Sequence, residues 1–444
     1  MSIVGIVAEY NPFHNGHRYQ LQEVRRRLGD VPIITAMSGD FTQRGEAAIA
    51  DKWTRARWAV DGGVSLLLEL PTVFALRSAQ SFAAGGVRLL AAAGADTIAF
   101  GAETDNLPLL QNIAALSSDE TITGLLKSRL KTGRSYASAI SQLLQEKIGS
   151  SYPAENIEEV IKSPNNILAI QYLRAINKYA PKLQPLLIHR EGAGYHQEEV
   201  GHLNSEAVAG ASAIRKALQS AGAFDPEIMQ AMPSPVADEL LRLKERDALA
   251  DTALLFPAIL GRLLPMTAGE LSRLHGVGEG LENLLWAALR DTGVNSLSSL
   301  IGSLKSKRYP YTRLSRLMIA ALLNITEEAV SRFDESGPLY FRPLAFDEKG
   351  RQILAVLRDK YRDEGNNENA LPVITSVKDF LPRLAQRGAA EAKPLTLLQE
   401  MLALDMLAAE IWSLSLPAAG RSNIVPETKA KLHYRQSPFN KSIL

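Results

Sequence analysis

Short apolar runs alternate with amphipathic stretches along the first 101 residues. Four of the runs are rich in β-branched residues and predict strands, at Ile3–Ala8, Val31–Met37, Val64–Leu70 and Asp96–Gly101. Between them, apolar residues recur at three- and four-residue spacing and predict helices, at His17–Leu28, Asp51–Asp61 and Ala79–Ala93. The strands begin about 30 residues apart, as right-handed βαβ units require. The pattern predicts an open, parallel, Rossmann-like α/β sheet.

The same alternation continues to about residue 220. Ser163 followed by Pro164 predicts the start of a helix that runs to Tyr179. Pro185–His189 predicts a fifth strand, and Ala211–Leu218 predicts another helix. We therefore expect one α/β domain over residues 1–222.

The remainder, residues 223–444, is predicted to be a mainly α-helical C-terminal region. Leu and Ala recur at helical spacing over residues 225–335 and 390–415, interrupted by Pro and Gly. A small mixed segment lies near Leu339–Thr375. No repeat of fixed period accompanies this pattern.

Composition narrows the classes of chemistry. The chain has 444 residues, 46% of them hydrophobic, which is enough for a full core in two or three domains. Its 49 basic and 48 acidic residues leave a net charge of +1, so charge has to be considered segment by segment. The sequence contains no cysteine, which excludes disulfides, thiolate metal sites and a cysteine nucleophile.

The sequence also bears on location. The first apolar run ends after about six residues and has no basic segment before it, which is typical of a strand and not of a signal peptide. The stretch Val64–Leu76 contains Glu69 and Pro71 and is shorter than the roughly 20 residues of a membrane span. We expect a cytoplasmic protein with no membrane association and no obligate protein partner.

The first strand leads into a loop that contains two histidines, His14 and His17, with Gly16 between them. In open parallel sheets, ligands bind beyond the carboxyl ends of strands, beside helix N-termini whose free N–H groups attract phosphate. Glycine lets the backbone approach a triphosphate, and imidazoles can donate hydrogen bonds to charge that develops on the α-phosphate. The position of the pair favours catalysis over the alternative of ordinary surface or capping histidines.

A zinc site is a second alternative for this pair. It requires further ligands, and His189, His196 and His202 are the available histidines. Carboxylate or cysteine spacing that would support zinc is absent from the sequence. We therefore predict no protein-bound metal, and expect Mg²⁺ to accompany ATP.

Several sequence blocks carry a resemblance to a known family. They are VGIVAEYNPFHNGH, SGDFTQRGEAA, KSPNNIL, HREGAGYH, SAIRKAL, KRYPYTRLSRLMIAALLNIT and YFRPLAFDEKGRQIL, in this order. The first block resembles the HIGH-type nucleotidyltransferase superfamily, and the whole series resembles the bacterial tRNA(Met) cytidine acetate ligase family. Departures are Ala47, where that family is expected to have proline, and the lone hydroxyl of Ser212 in a helix start that usually has several.

The resemblance implies an ATP-dependent ligase that forms AMP and pyrophosphate. Acetate and ATP would give acetyl-adenylate, and the acetyl group would pass to N4 of the wobble cytidine of elongator tRNA(Met). Its ATP site would comprise Val7, Ala8, Glu9, Tyr10, Asn11, Pro12, Phe13, His14, Asn15, Gly16, His17, Arg18, Tyr19, Gln20, Gly101, Asn165 and Arg190. Gly101 is expected to end a strand, Asn165 to lie beside exposed helix N–H groups, and Arg190 to pair with phosphate.

Two further segments are candidates for the same site. Arg44 lies in a polar loop after the second strand, where it could hold acetate or the adenylate phosphate; a simple capped turn is the alternative. Ser212 and Arg215 are possible phosphate contacts.

The helical region contains candidate tRNA contacts. Residues 305–316 include five basic side chains, no acidic one and two tyrosines, and basic groups bind phosphates while tyrosines stack on unpaired bases. We select Lys307, Arg308, Arg313 and Arg316, with a solvated helix face as the alternative. The glycine-rich turn at Gly276–Gly280 and the tail Lys429–Lys441 are weaker candidates.

Two other classes of protein remain open at this point. One is a small-molecule nucleotidylyltransferase that makes a coenzyme or lipid headgroup, although a small substrate does not need a helical extension of this size. The other is a nucleic-acid-binding module with a vestigial pocket, against which the intact His14, Gly16 and His17 argue.

Overall fold

The computed structural model describes residues 2–130, 136–152, 157–190, 210–219, 226–363, 370–381, 394–421 and 432–435. They form one seven-stranded sheet. Its strands are β1 Val4–Ala8, β2 Ile33–Ser38, β3 Leu66–Leu70, β4 Thr97–Ala102, β5 Gln184–His189, β6 Pro343–Phe346 and β7 His433–Tyr434. The order across the sheet is β5-β4-β1-β2-β3-β6-β7. Strands β1 to β5 are parallel, whereas β6 runs antiparallel to β3.

Helices surround this sheet. Those of the N-terminal half are α1 Asn15–Leu28, α2 Lys52–Asp61, α3 Thr72–Ala75, α4 Ala79–Ala92, α5 Leu107–Leu116, α6 Glu120–Leu130, α7 Tyr136–Ile148, α8 Ile157–Lys162, α9 Pro164–Tyr179 and α10 Ala211–Gln219. Those that follow are α11 Pro226–Gln230, α12 Ser234–Glu245, α13 Phe256–Leu263, α14 Ala268–Leu271, α15 Leu281–Ala288, α16 Leu297–Leu304, α17 Tyr311–Leu322, α18 Glu327–Ser336, α19 Glu348–Asp363, α20 Leu397–Ser413 and α21 Ala418–Arg421. Short 3₁₀ turns lie at Gly149–Ser151, Thr252–Leu255 and Val377–Asp379. Across the described ranges, no helix is both long and apolar enough to cross a membrane.

The strand order places a crevice beside β1. From β1 the chain builds β2 and β3 on one side, then crosses to build β4 and β5 on the other. This reversal lies between β1 and β4, and a ligand site in such a sheet is expected outside the carboxyl ends of those strands. The loops after β1, β4 and β5 therefore border one crevice.

Apolar residues cover both faces of the sheet. Strands β2 and β3 are buried along their whole length, because helices pack on both sides of a parallel sheet. One apolar cluster lies against α4, α5 and α9 and continues into the C-terminal helices, while a second lies under α1, α2 and α12. Residues from both halves of the chain thus contribute to each of these cores.

The predicted α/β sheet and the mainly helical C-terminal region are confirmed. All five predicted strands are present within about two residues, although α1 begins at Asn15 and not at His17. Two strands were not predicted, because β6 and β7 are short and lie far along the chain from the rest. The division at residue 222 stays a prediction, and residues beyond it complete the sheet of the first part.

Candidate active site

The two histidines form a reciprocal cap on α1. His14 is the N-cap residue, and its Nδ1 accepts a hydrogen bond from the Gly16 N–H at 3.0 Å. The His14 N–H in turn donates to Nδ1 of His17 at 3.2 Å. The rings stack with their centroids 3.8 Å apart. Because each Nδ1 is an acceptor, each neutral ring carries its proton on Nε2 and presents that N–H as a donor.

Burial keeps both rings neutral. It lowers the pKa of His14 to about 3, and the positive charges of Arg190 and Arg215 contribute in the same direction. Burial, His14 and Arg190 hold the pKa of His17 well below its usual range. At neutral pH the site therefore offers two N–H donors without fixed charge, as stabilisation of a developing oxyanion requires.

Acid should weaken the fold through His14. In the unfolded chain a histidine has a pKa near 6.5, whereas folded His14 has a pKa of about 3. Between these values the unfolded state binds more protons, so the free energy of unfolding falls as pH falls, by at most about 1.4 kcal/mol per pH unit. Urea unfolding at pH 7.5 and 5 measures this effect. We expect a weaker pH dependence in His14→Asn, and the same dependence in both proteins would show that His14 is not held neutral.

Other residues of the loop hold it in place. Tyr10 and Phe13 are fully buried, and the Tyr10 hydroxyl lies 3.3 Å from Oγ1 of Thr35 on β2. Buried Asn11 accepts a hydrogen bond from the Ile49 N–H at 2.7 Å through Oδ1. The side chains of Tyr10, Asn11 and Phe13 thus anchor the loop, although their prediction in the ATP site rested on the resemblance alone.

The rest of the predicted ATP segment is less buried. Val7 and Ala8 end β1, and Glu9, Asn15 and Gln20 are partly exposed. Arg18 and Tyr19 are exposed on α1. The crevice borders this end of the strand. The assignment of these side chains to the ATP site stays a prediction.

A buried arginine joins the loops after β1 and β2. Arg55 on α2 donates to the carbonyl oxygens of Glu9, Ser38 and Gly39. The Gln43 N–H donates to Oε1 of Glu9 at 2.7 Å. Arg44 is partly buried in this second loop, and its charge acts on Glu9. Burial is the main cause that raises the pKa of Glu9 above its usual value.

Three residues of the predicted ATP site come together: Gly101 near the end of β4, Arg190 directly after β5 and Asn165 at the start of α9. The Arg190 side chain crosses Gly101, where a Cβ atom would lie 3.2 Å from Cδ of Arg190, so glycine leaves it room. Nη1 of Arg190 donates to Oδ1 of Asn165 at 3.4 Å. This arrangement places a guanidinium at the crevice, close enough for its charge to act on both His14 and His17.

The first turn of α9 differs from the prediction in one respect. We expected its N–H groups to be open to phosphate, but the carboxylate of Glu103 accepts the N–H groups of Asn165 and Asn166 at 3.1 and 2.8 Å. Glu103 also accepts from Nδ2 of Asn165 at 2.7 Å. Ser163 is the N-cap residue and Pro164 begins the helix, as predicted, but the Ser163 hydroxyl donates to the Glu159 carbonyl and does not cap the helix N–H groups. An acidic side chain supplies the anion that this helix start attracts.

Arg215 links the carboxylate of Glu46 to the loop that contains His14 and His17. Its Nη1 donates to the Asn11 carbonyl, and its Nη2 donates to Oε2 of Glu46, both at 2.9 Å. The charge of Arg215 also acts on His14. Ser212 is exposed in the first turn of the same helix, α10. Both residues thus stay possible phosphate contacts, with Arg215 already engaged by two acceptors.

The basic stretch, residues 305–316, contacts the loop after β2 at its C-terminal end. Arg316 donates to the Gln43 carbonyl at 3.2 Å, and Arg313 lies 3.4 Å from the Gly276 carbonyl oxygen. Lys307 is exposed, as is Arg308, which pairs with Glu279 at 3.1 Å. The expectation that both tyrosines are available for stacking is wrong for Tyr309, which is buried and donates to the Glu279 carbonyl.

The weaker candidates have clear positions where they are described. Gly276 and Gly280 have φ values of +85° and +91°, so the turn needs glycine for its backbone conformation. In the tail, residues 432–435 add β7 to the sheet, and Arg435 donates to the carbonyl of Val60. Lys431 and the other tail residues lie outside the described residues.

Of the three histidines considered for the alternative of a zinc site, the structure describes one. Nε2 of His189 lies 3.1 Å from the carbonyl oxygen of Glu103, whereas His196 and His202 lie outside the described residues. Within the described ranges, no three His, Asp or Glu side chains are grouped to hold a metal ion.

Sequence reasoning missed two carboxylates and one arginine. Glu103 follows β4 by one residue and Glu46 lies in the loop after β2, so both occupy the ligand edge of the sheet. An acidic residue directly after a strand was the available signal for Glu103. Arg55 lies inside a helix, and nothing in its spacing distinguishes it from a surface residue.

A parallel sheet with a crevice at β1 and a paired-histidine helix cap defines a HIGH-class nucleotidyltransferase. The family model described as HIGH Nucleotidyl Transferase matches residues 1–424.

Relatives define the family more closely. The tRNA(Met) cytidine acetate ligase of Syntrophomonas wolfei is 37% identical over 94% of this chain and 95% of its own length. The protein of that name from Halothermothrix orenii is 34% identical over 94% of this chain and 96% of its own length. The crystal structure of Thermotoga maritima TmcAL bound with alpha-thio ATP aligns with a TM-score of 0.80 at 28% identity, covering 98% of this chain and 100% of that one. The chain belongs to the tRNA(Met) cytidine acetate ligase family.

Proposed function

We propose that this protein is an ATP-dependent ligase that acetylates N4 of the wobble cytidine of elongator tRNA(Met). In the first half-reaction, an acetate oxygen forms a bond to the α-phosphorus of ATP and pyrophosphate leaves, which gives acetyl-adenylate. In the second, the cytidine N4 forms a bond to the acetyl carbon, the bond from that carbon to the AMP oxygen breaks, and the amino group releases one proton to solvent as AMP leaves. The protein would work in the cytoplasm, where tRNA is modified.

The observation that carries this proposal is the geometry of His14 and His17. The two neutral imidazoles carry their protons on Nε2, because Nδ1 of each accepts from a backbone N–H, and their loop borders the crevice. Such donors stabilise charge that builds up on the α-phosphate and the leaving pyrophosphate more than they stabilise the ground state. Arg190 supplies the positive charge that binds a phosphate group, and Arg44 is the proposed contact to acetate or the adenylate phosphate. We expect Mg²⁺ to arrive with ATP.

A screen of small acids tests the reaction class. Exchange of labelled pyrophosphate into ATP should require acetate, because the adenylate must form before it can revert. Formate, propionate and glycine serve as competitors, and each is tested with and without tRNA(Met). Exchange that is independent of any acid would contradict the proposal and favour a nucleotidylyltransferase whose substrate is not a carboxylate.

Loss of Arg190 or Asn165 should weaken ATP binding more than it slows chemistry. Arg190 is expected to contact phosphate in the ground state as well as in the transition state. Its removal should therefore weaken the binding of both states to the same extent. Arg190→Ala is expected to raise the dissociation constant of ATP by roughly 10-fold or more. Asn165→Ala should have a smaller effect, because Asn165 acts by orienting Arg190. Calorimetric titration with ATP measures both.

Arg174→Ala is the matched control for this pair. Arg174 lies on α9 with Asn165, but it contacts Ser118 and Gln171. Its substitution should leave ATP affinity unaltered. Unaltered affinity in Arg190→Ala would remove that residue from the site.

A further inference from the structure

The loop after β2 packs directly onto the start of α17. Gly45 has a φ of +80°, and a Cβ atom there would lie 2.3 Å from the backbone nitrogen of Arg316. The Ser315 hydroxyl donates to the Gly45 carbonyl at 2.7 Å in a buried position. A side chain at position 45 would not fit, so glycine lets the loop after β2 pack against the backbone of α17.

This packing brings an aromatic ring to a carboxylate. Tyr311 precedes Ser315 by four residues and so lies on the same face of α17, one turn toward its N-terminus. That face packs against Gly45, and Glu46 is the next residue of the same loop. Tyr311 is 45% exposed. Burial raises the pKa of its hydroxyl, and the negative charge of Glu46 adds to the effect.

Glu46 is at the same time tied to the catalytic loop. Its side chain is 34% exposed, and Oε2 accepts from Arg215. Arg215 also donates to the Asn11 carbonyl, three residues before His14. A single guanidinium thus holds the carboxylate at the edge of the His14 loop, while part of it stays open to a second partner.

An exposed aromatic ring beside a carboxylate has the chemistry that recognises an unpaired cytosine. Carboxylates accept hydrogen bonds from the cytosine N4 amino group, and tyrosine rings stack on bases that have left a helix. Uracil presents a carbonyl oxygen where cytosine has the amino group, and two acceptors facing each other repel. Lys307 and Arg308 precede Tyr311 by four and three residues and are exposed, and their charges suit the adjoining phosphates.

We propose that Glu46 and Tyr311 form the subsite that receives the target cytosine. Glu46 accepts a hydrogen bond from the N4 amino group, and Tyr311 stacks on the base. This subsite rests on the proposed function, because it places the attacking amine beside the histidine loop where the acetyl-adenylate forms. It also assigns to Glu46 the choice of cytosine over uracil.

Competition between two tRNAs tests the role of Glu46. Full-length tRNA(Met) transcripts with cytidine or uridine at the wobble position compete for the protein, and the ratio of their dissociation constants is measured. The wild type should prefer cytidine on the order of 10-fold. In Glu46→Gln the ratio should fall toward one, because an amide keeps the bond to Arg215 and can also donate to uracil O4. Glu279→Gln, on the same surface, is the control and should keep the preference.

Stacking by Tyr311 has a separate signature. Tyr311→Ala should weaken the binding of both transcripts equally, on the order of 10-fold. Tyr311→Phe should bind both like the wild type. Circular dichroism and thermal unfolding check that each variant is folded. An undiminished preference in Glu46→Gln, or equal losses in the Ala and Phe variants, would overturn the subsite. If the wild type acetylates neither transcript and shows no acetate-dependent pyrophosphate exchange, the proposed function itself fails.

Discussion

His14→Ala and His17→Ala should each lower the rate of acetate-dependent pyrophosphate exchange by on the order of 100-fold or more. Each substitution removes an Nε2–H donor that acts mainly in the transition state, and loss of one such donor costs about 10²–10³ in rate. The affinity for ATP should change much less, because the donors contribute little to ground-state binding. Rates of pyrophosphate exchange at saturating ATP and calorimetric titration with ATP separate the two effects.

Asparagine variants distinguish catalysis from folding. Each alanine variant also removes an acceptor that caps α1, and loss of such a cap costs about 1 kcal/mol of stability. His14→Asn keeps an acceptor near the position of Nδ1 but has no group at Nε2. It should therefore be as inactive as His14→Ala while being nearly as stable as the wild type. Wild-type exchange in folded His14→Asn would contradict a catalytic role for this histidine.

The periodicity of the chain was sufficient to predict the parallel sheet and the position of the histidine loop at the carboxyl end of β1. Strand β1 and the glycine between two histidines are local features, and the position of the loop follows from the geometry of βαβ units. The tautomer of the histidines was not predictable in the same way. It depends on burial and on backbone N–H groups whose directions are set only when α1 has formed.

Contacts between distant parts of the chain account for what the sequence did not reveal. Glu103 reaches the first turn of α9 across about 60 residues of sequence, so neither segment by itself indicates that the helix start is occupied. Gly45 was evident as a turn residue, but its contact with Ser315 joins positions 270 residues apart. This second contact changes how the basic stretch is interpreted, because it places the end of that stretch against the loop after β2.

Replacing Lys307 and Arg308 together with alanine should weaken tRNA binding by on the order of 10-fold or more at about 0.1 M salt. Both side chains are exposed, and the pairing of Arg308 with Glu279 is exposed too, so a phosphate can displace it at little cost. Each lost duplex phosphate contact should reduce the slope of log affinity against log salt by about 0.9. Acetate-dependent pyrophosphate exchange without tRNA should be retained, since neither residue contacts the histidine loop.

Arg316→Ala is expected to behave differently from that double variant. Arg316 donates to the Gln43 carbonyl, and burial lowers the pKa of its guanidinium to about 10, with Arg313 and Arg77 adding to the effect. Its substitution should loosen the loop that carries Arg44 and so reduce both pyrophosphate exchange and tRNA acetylation. A loss of tRNA binding alone in Arg316→Ala would make it a direct RNA contact. Equal losses of both activities in the Lys307 and Arg308 double variant would instead make that segment structural.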